Sequence, residues 1–212
     1  MMELALSDGW VEPELAEELP GIGLVFTPVD ARPRKSPPDV RRRLEALADR
    51  YTGGKVVHMR QDAVPWAYRV FARQVGIDPD TDRTPVERIA LDRLKRGGLP
   101  SEGLLDDALT IAVAETGVPV VALDRDRVDG DPGLRLSRPG ETLGGARPLS
   151  ARQIVMADGT RPVAIVLGEV SPEAGVTPKA ERMLLCALQV SGVPRIAVEE
   201  ALWIAAEILL YS

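Results

Sequence analysis

Residues 103–124 read GLLDDALTIAVAETGVPVVALD. The acid pair Asp106-Asp107 opens an otherwise apolar run, Gly117 and Pro119 break it, and a second apolar run ends on Asp124. Leu104, Leu105, Ala108, Leu109, Ile111 and Ala112 recur at helical spacing and cover a face wider than a surface helix needs, so the spacing predicts a buried helix. The PVVAL stretch after the break reads as a buried strand. Adjacent acids on a helix project roughly 100° apart and do not converge on one atom, as a catalytic pair must. On this reading one of the pair caps or meets an arginine and the other faces solvent. Asp124 reads as a strand end running into a turn.

Working outward, Pro20-Gly21 precede IGLVF, a first buried strand, and TPVDARPRKSPP follows as a loop. Ser36 then stands as an N-cap with Pro37 in the first turn of a helix through residues 39–51, ending at Gly53-Gly54. Leu44, Leu47 and Ala48 make its apolar stripe, which turns the arginines outward. Val64, Ala67, Tyr68, Phe71 and Val75 give a helix starting near Ala63, with Pro65 in its first turn and Gly76 after its end. Thr84-Pro85-Val86-Glu87 is a capping box, opening a helix that stops at Gly97-Gly98. Downstream, LRLS, RQIVMA and RPVAIVL are short strands between PG, GG and DG turns. Thr177-Pro178 reads as the cap of a further helix, and a last helix starts near Pro194. Helices and strands are segregated rather than alternating, which predicts an α+β fold, and no stretch reads as an interdomain linker, so residues 1–212 form one expected domain.

Composition excludes several classes. Of 212 residues, 45% are hydrophobic and 27% charged, as in ordinary globular proteins. Charges interrupt every apolar run well short of a membrane span, and MMELALSDGW lacks the basic and apolar regions of a secretion signal. One cysteine, Cys186, cannot form an internal disulfide, which fits a cytoplasmic location. One histidine, His58, placed near a strand end, and one cysteine do not build a zinc cage. No metal or cofactor is expected. Gly53-Gly54-Lys55 lacks the spacing of a phosphate loop, and no G-x-S-x-G elbow is present. The alternating acids and arginines of residues 124–131 make a poor calcium loop, since no terminal Glu follows. The net charge of −6 argues against a protein that binds nucleic acid through its overall charge. The densest basic patch is Arg41-Arg42-Arg43, with Arg32, Arg34 and Lys35 before it.

The order RTPVERIALDRL, GLLDDALTIAVAETGVPVVALD, RVDGDPGLRLSRPGE, ARQIVMADGTRPVAIVLGE resembles the tRNA-editing domain of the phenylalanyl-tRNA synthetase beta subunit, the B-three/B-four module, which also exists as a free-standing protein. That family's core stretch reads VDITN, about eight residues, then GQPLHAFD. Asp107 falls on its aspartate, Gly117 and Pro119 on its glycine and proline, Asp124 on its last aspartate, and Arg135 and Gly140-Glu141 on its VR…GE segment. The resemblance implies a mixed or antiparallel β-sandwich-like core flanked by helices. The departures fall where that family does chemistry. Its asparagine is Thr110 here and its histidine Val121. Its AGVMGG segment is Ala164-Ile165-Val166-Leu167-Gly168-Glu169, so Ile165 replaces a pocket glycine. Leu185 and Cys186 stand near the place of its late glutamate.

Two functions lead at this point, beside a purely structural interaction module in a larger assembly. The first is a tRNA- or aminoacyl-tRNA-binding protein, with hydrolysis of mischarged tRNA in trans, at altered specificity, as one form of it. Asp107, Thr110 or Glu169 would then position water, Val121, Ala164, Ile165 and Gly168 would line the pocket, and Arg41, Arg42, Arg43, Arg69 and Arg73 would contact RNA. The second is a non-catalytic binder of an amino-acid-like small molecule on the same scaffold.

Overall fold

The computed structural model describes residues 4–212; residues 1–3, part of the stretch read for a secretion signal, lie outside them. The chain begins with β1 (Ser7–Asp8), β2 (Trp10–Val11), α1 (Pro13–Glu18) and β3 (Gly23–Val29). A helical region follows: α2 (Pro38–Arg50), α3 (Gly53–His58), α4 (Ala63–Gln74), α5 (Pro85–Arg96) and α6 (Leu104–Thr116). Next come β4 (Val120–Asp124), β5 (Gly133–Leu136), β6 (Thr142–Leu143), β7 (Arg147–Pro148), β8 (Ile154–Ala157), β9 (Pro162–Ile165) and β10 (Met183–Gln189), and then α7 (Arg195–Tyr211). The fold is α+β with antiparallel and mixed sheets, as expected.

The first sheet has the order β1-β3-β10-β4, antiparallel throughout. The second has the order β2-β5-β8-β9, with β2 parallel to β5 and the remaining pairs antiparallel. A small hairpin joins β6 and β7. The two larger sheets meet where β2 and β5 touch β3, while α6 and α7 pack together over β4, β10 and β3. The core is one continuous cluster running through both sheets and the helices.

The stretch that opened the sequence folds as read. Gly117 ends α6 at φ 77°, and a Cβ there would come within 3.2 Å of Pro65, so the position needs glycine on both counts. Four expectations are corrected. Residues after Thr177-Pro178 form no helix; Met183–Gln189 is the central strand of the first sheet, flanked by β3 and β4. A strand buried on both faces shows no alternation, and a continuous apolar run of that length does not separate strand from helix. Ser36 is not the N-cap of α2: Pro37 holds that position and the Ser36 hydroxyl is spent elsewhere. Gly53-Gly54 do not end that helix but open α3, because the Thr52 hydroxyl accepts from the Lys55 N–H at 3.4 Å. His58 accordingly ends a helix, exposed, and not a strand.

Candidate functional site

The four expected pocket positions come together. Val121, Ala164, Ile165 and Gly168 line a cavity of about 150 Å³ between the two larger sheets. Strand register explains the assembly. Val121 pairs with Cys186 in the first sheet, and Met156 pairs with Ala164 in the second. Side chains two apart on a strand share a face, so Cys186 and Leu188 point into the same gap. Pro85 and Arg88, from the first turn of α5, close one side. The Arg88 guanidinium donates to the carbonyl of Leu167 at 2.9 Å and to that of Arg83 at 3.0 Å. Leu167 has φ 60°, a strained value for a leucine, so Arg88 fixes the carbonyl of a strained turn in the cavity wall. In the same turn a Cβ on Gly168 would lie 2.9 Å from Ile165 Cγ2.

Sequence reasoning missed Arg88, Pro85, Met156 and Leu188. The capping box at residues 84–87 was the available signal, because it sets where α5 begins and which first-turn side chains face inward. That box is formed: the Thr84 N–H and hydroxyl both donate to Glu87, at 3.2 and 2.8 Å. Glu87 is 2% exposed and also accepts from Arg69 at 2.7 Å.

The expected catalytic residues do not join the cavity. Asp107 and Thr110 line a separate cleft with Arg96, Pro100 and Asp106. Asp107 is buried and accepts three hydrogen bonds: from the Ser36 hydroxyl at 2.5 Å, the Ser101 hydroxyl at 2.5 Å and the Glu102 N–H at 3.0 Å. Its oxygens are committed to tying two loops onto the start of α6. Its neighbour Asp106, about 100° round the helix, is exposed by surface area. The cleft wall nevertheless strips part of the water from its carboxyl and, with the Glu102 and Asp107 charges nearby, pushes it above its ordinary value. Glu169 is exposed and paired with Arg147 at 2.6 Å. Asp124 caps a turn, accepting from the Asp126 N–H at 3.1 Å. Arg135 and Glu141 form a two-pronged ion pair at 2.6 and 2.7 Å. The Cys186 thiol is fully buried and burial pushes its pKa far up, so it is a protonated wall atom and not a nucleophile.

Of the arginines expected to meet RNA, Arg69 is corrected. It is 4% exposed, held by Glu87 and by Asp80 at 2.7 Å, and inaccessible to a phosphate. Arg43 is engaged with Glu115. Arg41 and Arg42 are exposed. Arg73 lies 5.7 Å over the ring of Trp66, which is 49% exposed. Among the described residues no three His, Cys, Asp or Glu side chains gather to hold a metal, and no helix is long and apolar enough to cross a membrane.

The arrangement is an apolar pocket walled by two sheets of an α+β protein, with an arginine at its mouth. Comparison with known proteins gives it a relationship. The chain is 35% identical over 130 residues to the phenylalanine–tRNA ligase beta subunit of Methylococcus capsulatus, covering 58% of this chain and 16% of that protein. It is 35% identical over 104 residues to the beta subunit of Streptomyces avermitilis and 37% identical over 94 residues to that of Xanthomonas euvesicatoria, covering 46% and 42% of this chain and 12% of each relative. The chain is therefore related to a part of the phenylalanine–tRNA ligase beta subunit, and the matches span at most 16% of these relatives' length. No family model matches it.

Proposed function

We propose that this chain, taken as one domain and cytoplasmic, binds tRNA and receives the aminoacyl group of its 3′ end in the cavity between the two sheets. The observation that carries the reading is the convergence of Val121, Ala164, Ile165 and Gly168 on that cavity, at the positions where the resemblance puts an amino-acid pocket. Similarity to the phenylalanine–tRNA ligase beta subunit supports the tRNA partner. Arg41 and Arg42 on α2 supply exposed charge for phosphates, and the Trp66–Arg73 pair offers an aromatic face for an unpaired base.

The cavity lining contains no carboxylate, imidazole or hydroxyl side chain. Ester hydrolysis needs a group that activates water and donors aimed at the developing oxyanion. Trans-editing by this chain would have to rest on water held by main-chain groups and Arg88. The second reading is a binder of a free amino-acid-like molecule, favoured by the apolar lining and by the net charge of −6.

The test is binding of charged and uncharged tRNA across a salt series, together with release of amino acid from a panel of correctly and wrongly charged tRNAs. The expected result is binding that weakens steeply with salt and is tighter for charged tRNA. Salt-independent or absent binding refutes the tRNA reading. Release from one charged species establishes hydrolysis; binding without release restricts the function to recognition.

A further inference from the structure

The cavity's chemistry narrows what it can hold. Its walls are Val121, Met156, Ala164, Ile165 and Leu188, with the protonated Cys186 thiol among them and Arg88 at the edge. The polar groups nearest to it are already used. The Tyr68 hydroxyl donates to the Leu188 carbonyl at 2.6 Å, and the Leu167 carbonyl is taken by Arg88. Thr27 has a buried hydroxyl without a protein partner, but it pairs with Leu185 and so shares the opposite face of the sheet from Cys186. Arg88 is the one polar side chain in the lining besides the Cys186 thiol, and both of its terminal nitrogens already donate to carbonyls, so a ligand hydroxyl pointed away from Arg88 would lose its water and find no strong side-chain partner.

Size sets the other bound. An apolar cavity near 150 Å³ is large enough for a ring the size of benzene. Ile165 is buried in its wall, close to the Gly168 turn, where a Cβ added to the glycine would lie 2.9 Å from Ile165 Cγ2. Across that wall lies a second cavity of about 370 Å³, which Ile165 and Val166 also line and which has polar groups at Gln74, Ser150 and Gln153.

We propose that the cavity between the sheets selects amino-acid side chains that are apolar and carry no hydroxyl, up to the size of a phenyl ring, and that Ile165 is the residue that enforces this. The inference rests on the reading that the cavity receives an amino-acid group, whether esterified to RNA or free. An apolar pocket discriminates against one added hydroxyl by roughly 100-fold at best, so the expected preference for leucine and phenylalanine over tyrosine is about 10- to 100-fold. Ile165 and Val166 line both cavities, so removing the Ile165 side chain opens the first toward the polar groups of the second and is the change that should admit a tyrosine hydroxyl.

The experiment is isothermal titration of the whole chain with free leucine, phenylalanine and tyrosine, and with the same three amino acids amide-linked to the 3′ carbon of adenosine. Wild type, Ile165→Gly and the milder Ile165→Val are compared, with a thermal melt of each to establish folding. The proposal expects leucine and phenylalanine ahead of tyrosine in whichever series binds, and a gap that closes to within about threefold in Ile165→Gly. Tyrosine binding as tightly as phenylalanine in wild type overturns it, whether or not the glycine variant folds. An unchanged gap in a folded Ile165→Gly protein overturns the role of Ile165. Correctly ordered binding of the free amino acids with none of the adenosine conjugates supports this inference while counting against the tRNA reading; no binding in either series overturns both.

Discussion

Replacing Asp107 separates a structural carboxylate from a catalytic one. The side chain is buried and accepts from Ser36 Oγ, Ser101 Oγ and the Glu102 N–H. A hydrogen bond to a charged acceptor is worth about 1.5–3 kcal/mol, and three on one group do not add fully. Asp107→Ala also strands the buried Ser36 hydroxyl and the Glu102 N–H, so the expected loss is about 3–5 kcal/mol. That is a large share of the ~5–15 kcal/mol that holds a domain together. At ~2–4 °C per kcal/mol for a chain of this size, melting should fall by roughly 10 °C. Asp107→Asn can keep the contacts: its amide oxygen accepts from Glu102 while its nitrogen donates to the two serine oxygens, for a cost of about 1 kcal/mol. Urea unfolding of the three proteins measures this, alongside ligand binding to the cavity, which both variants should leave unchanged when folded. A catalytic role predicts the reverse, with stability intact and Asp107→Asn inactive in amino-acid release. An Asp107→Ala protein that unfolds within about 0.5 kcal/mol of wild type would refute the reasoning.

Glu87→Ala removes the capping-box partner of Thr84 and one of the two carboxylates that hold the buried Arg69, leaving Asp80 and the Pro79 carbonyl; a lost cap and a lost charged hydrogen bond should together cost about 2–4 kcal/mol in urea unfolding, and a loss under about 1 would mean that the remaining partners satisfy Arg69. Glu141 gives a pH signature. Hydrogen bonding to the Arg135 guanidinium, helped by the Arg138 N–H and opposed by partial burial, holds its carboxyl below the ordinary value. A folded-state pKa below the unfolded one gives stability that is full above the unfolded value and is lost as pH falls through the folded value. The urea midpoint of wild type should therefore drop more steeply between about pH 5 and pH 3 than that of Glu141→Gln; parallel curves would show that the pair contributes no such term.

The helical half was legible because its signals are local: the proline and capping-box start of α5, the glycine end of α6, and the 3.6-residue stripe of α4. Residues 183–189 were not, since β10 is central to its sheet, apolar on both faces, and identified as a strand only by the partners on either side. Arg69 shows the same limit for charge. Its sequence neighbours give it a solvent-facing look, and only the return of α5 brings Glu87 against it. The cavity was located through a resemblance and not through spacing, because its walls come from four strands and a helix start spread over residues 85–188. The distance between the Asp107 cleft and that cavity was likewise invisible while both sets of residues stood in one motif order.

The acids that match the synthetase stretch and the positions that depart from it do different work here. Asp107 ties loops to α6, Asp124 caps the turn after β4, and Glu141 clamps Arg135. Each carboxylate is committed to backbone N–H groups, hydroxyls or a guanidinium within its own part of the fold, which is structural work. Val121 and Ile165, where the side chains differ, face the cavity. A scaffold can keep its capping and clamping residues while its pocket is relined, because the hydrogen-bond partners of these acids are not among the residues that line the cavity. Under the proposed reading, substitutions at Val121, Ile165 and Arg88 should alter ligand choice before they alter stability, whereas substitutions at the motif acids should do the opposite.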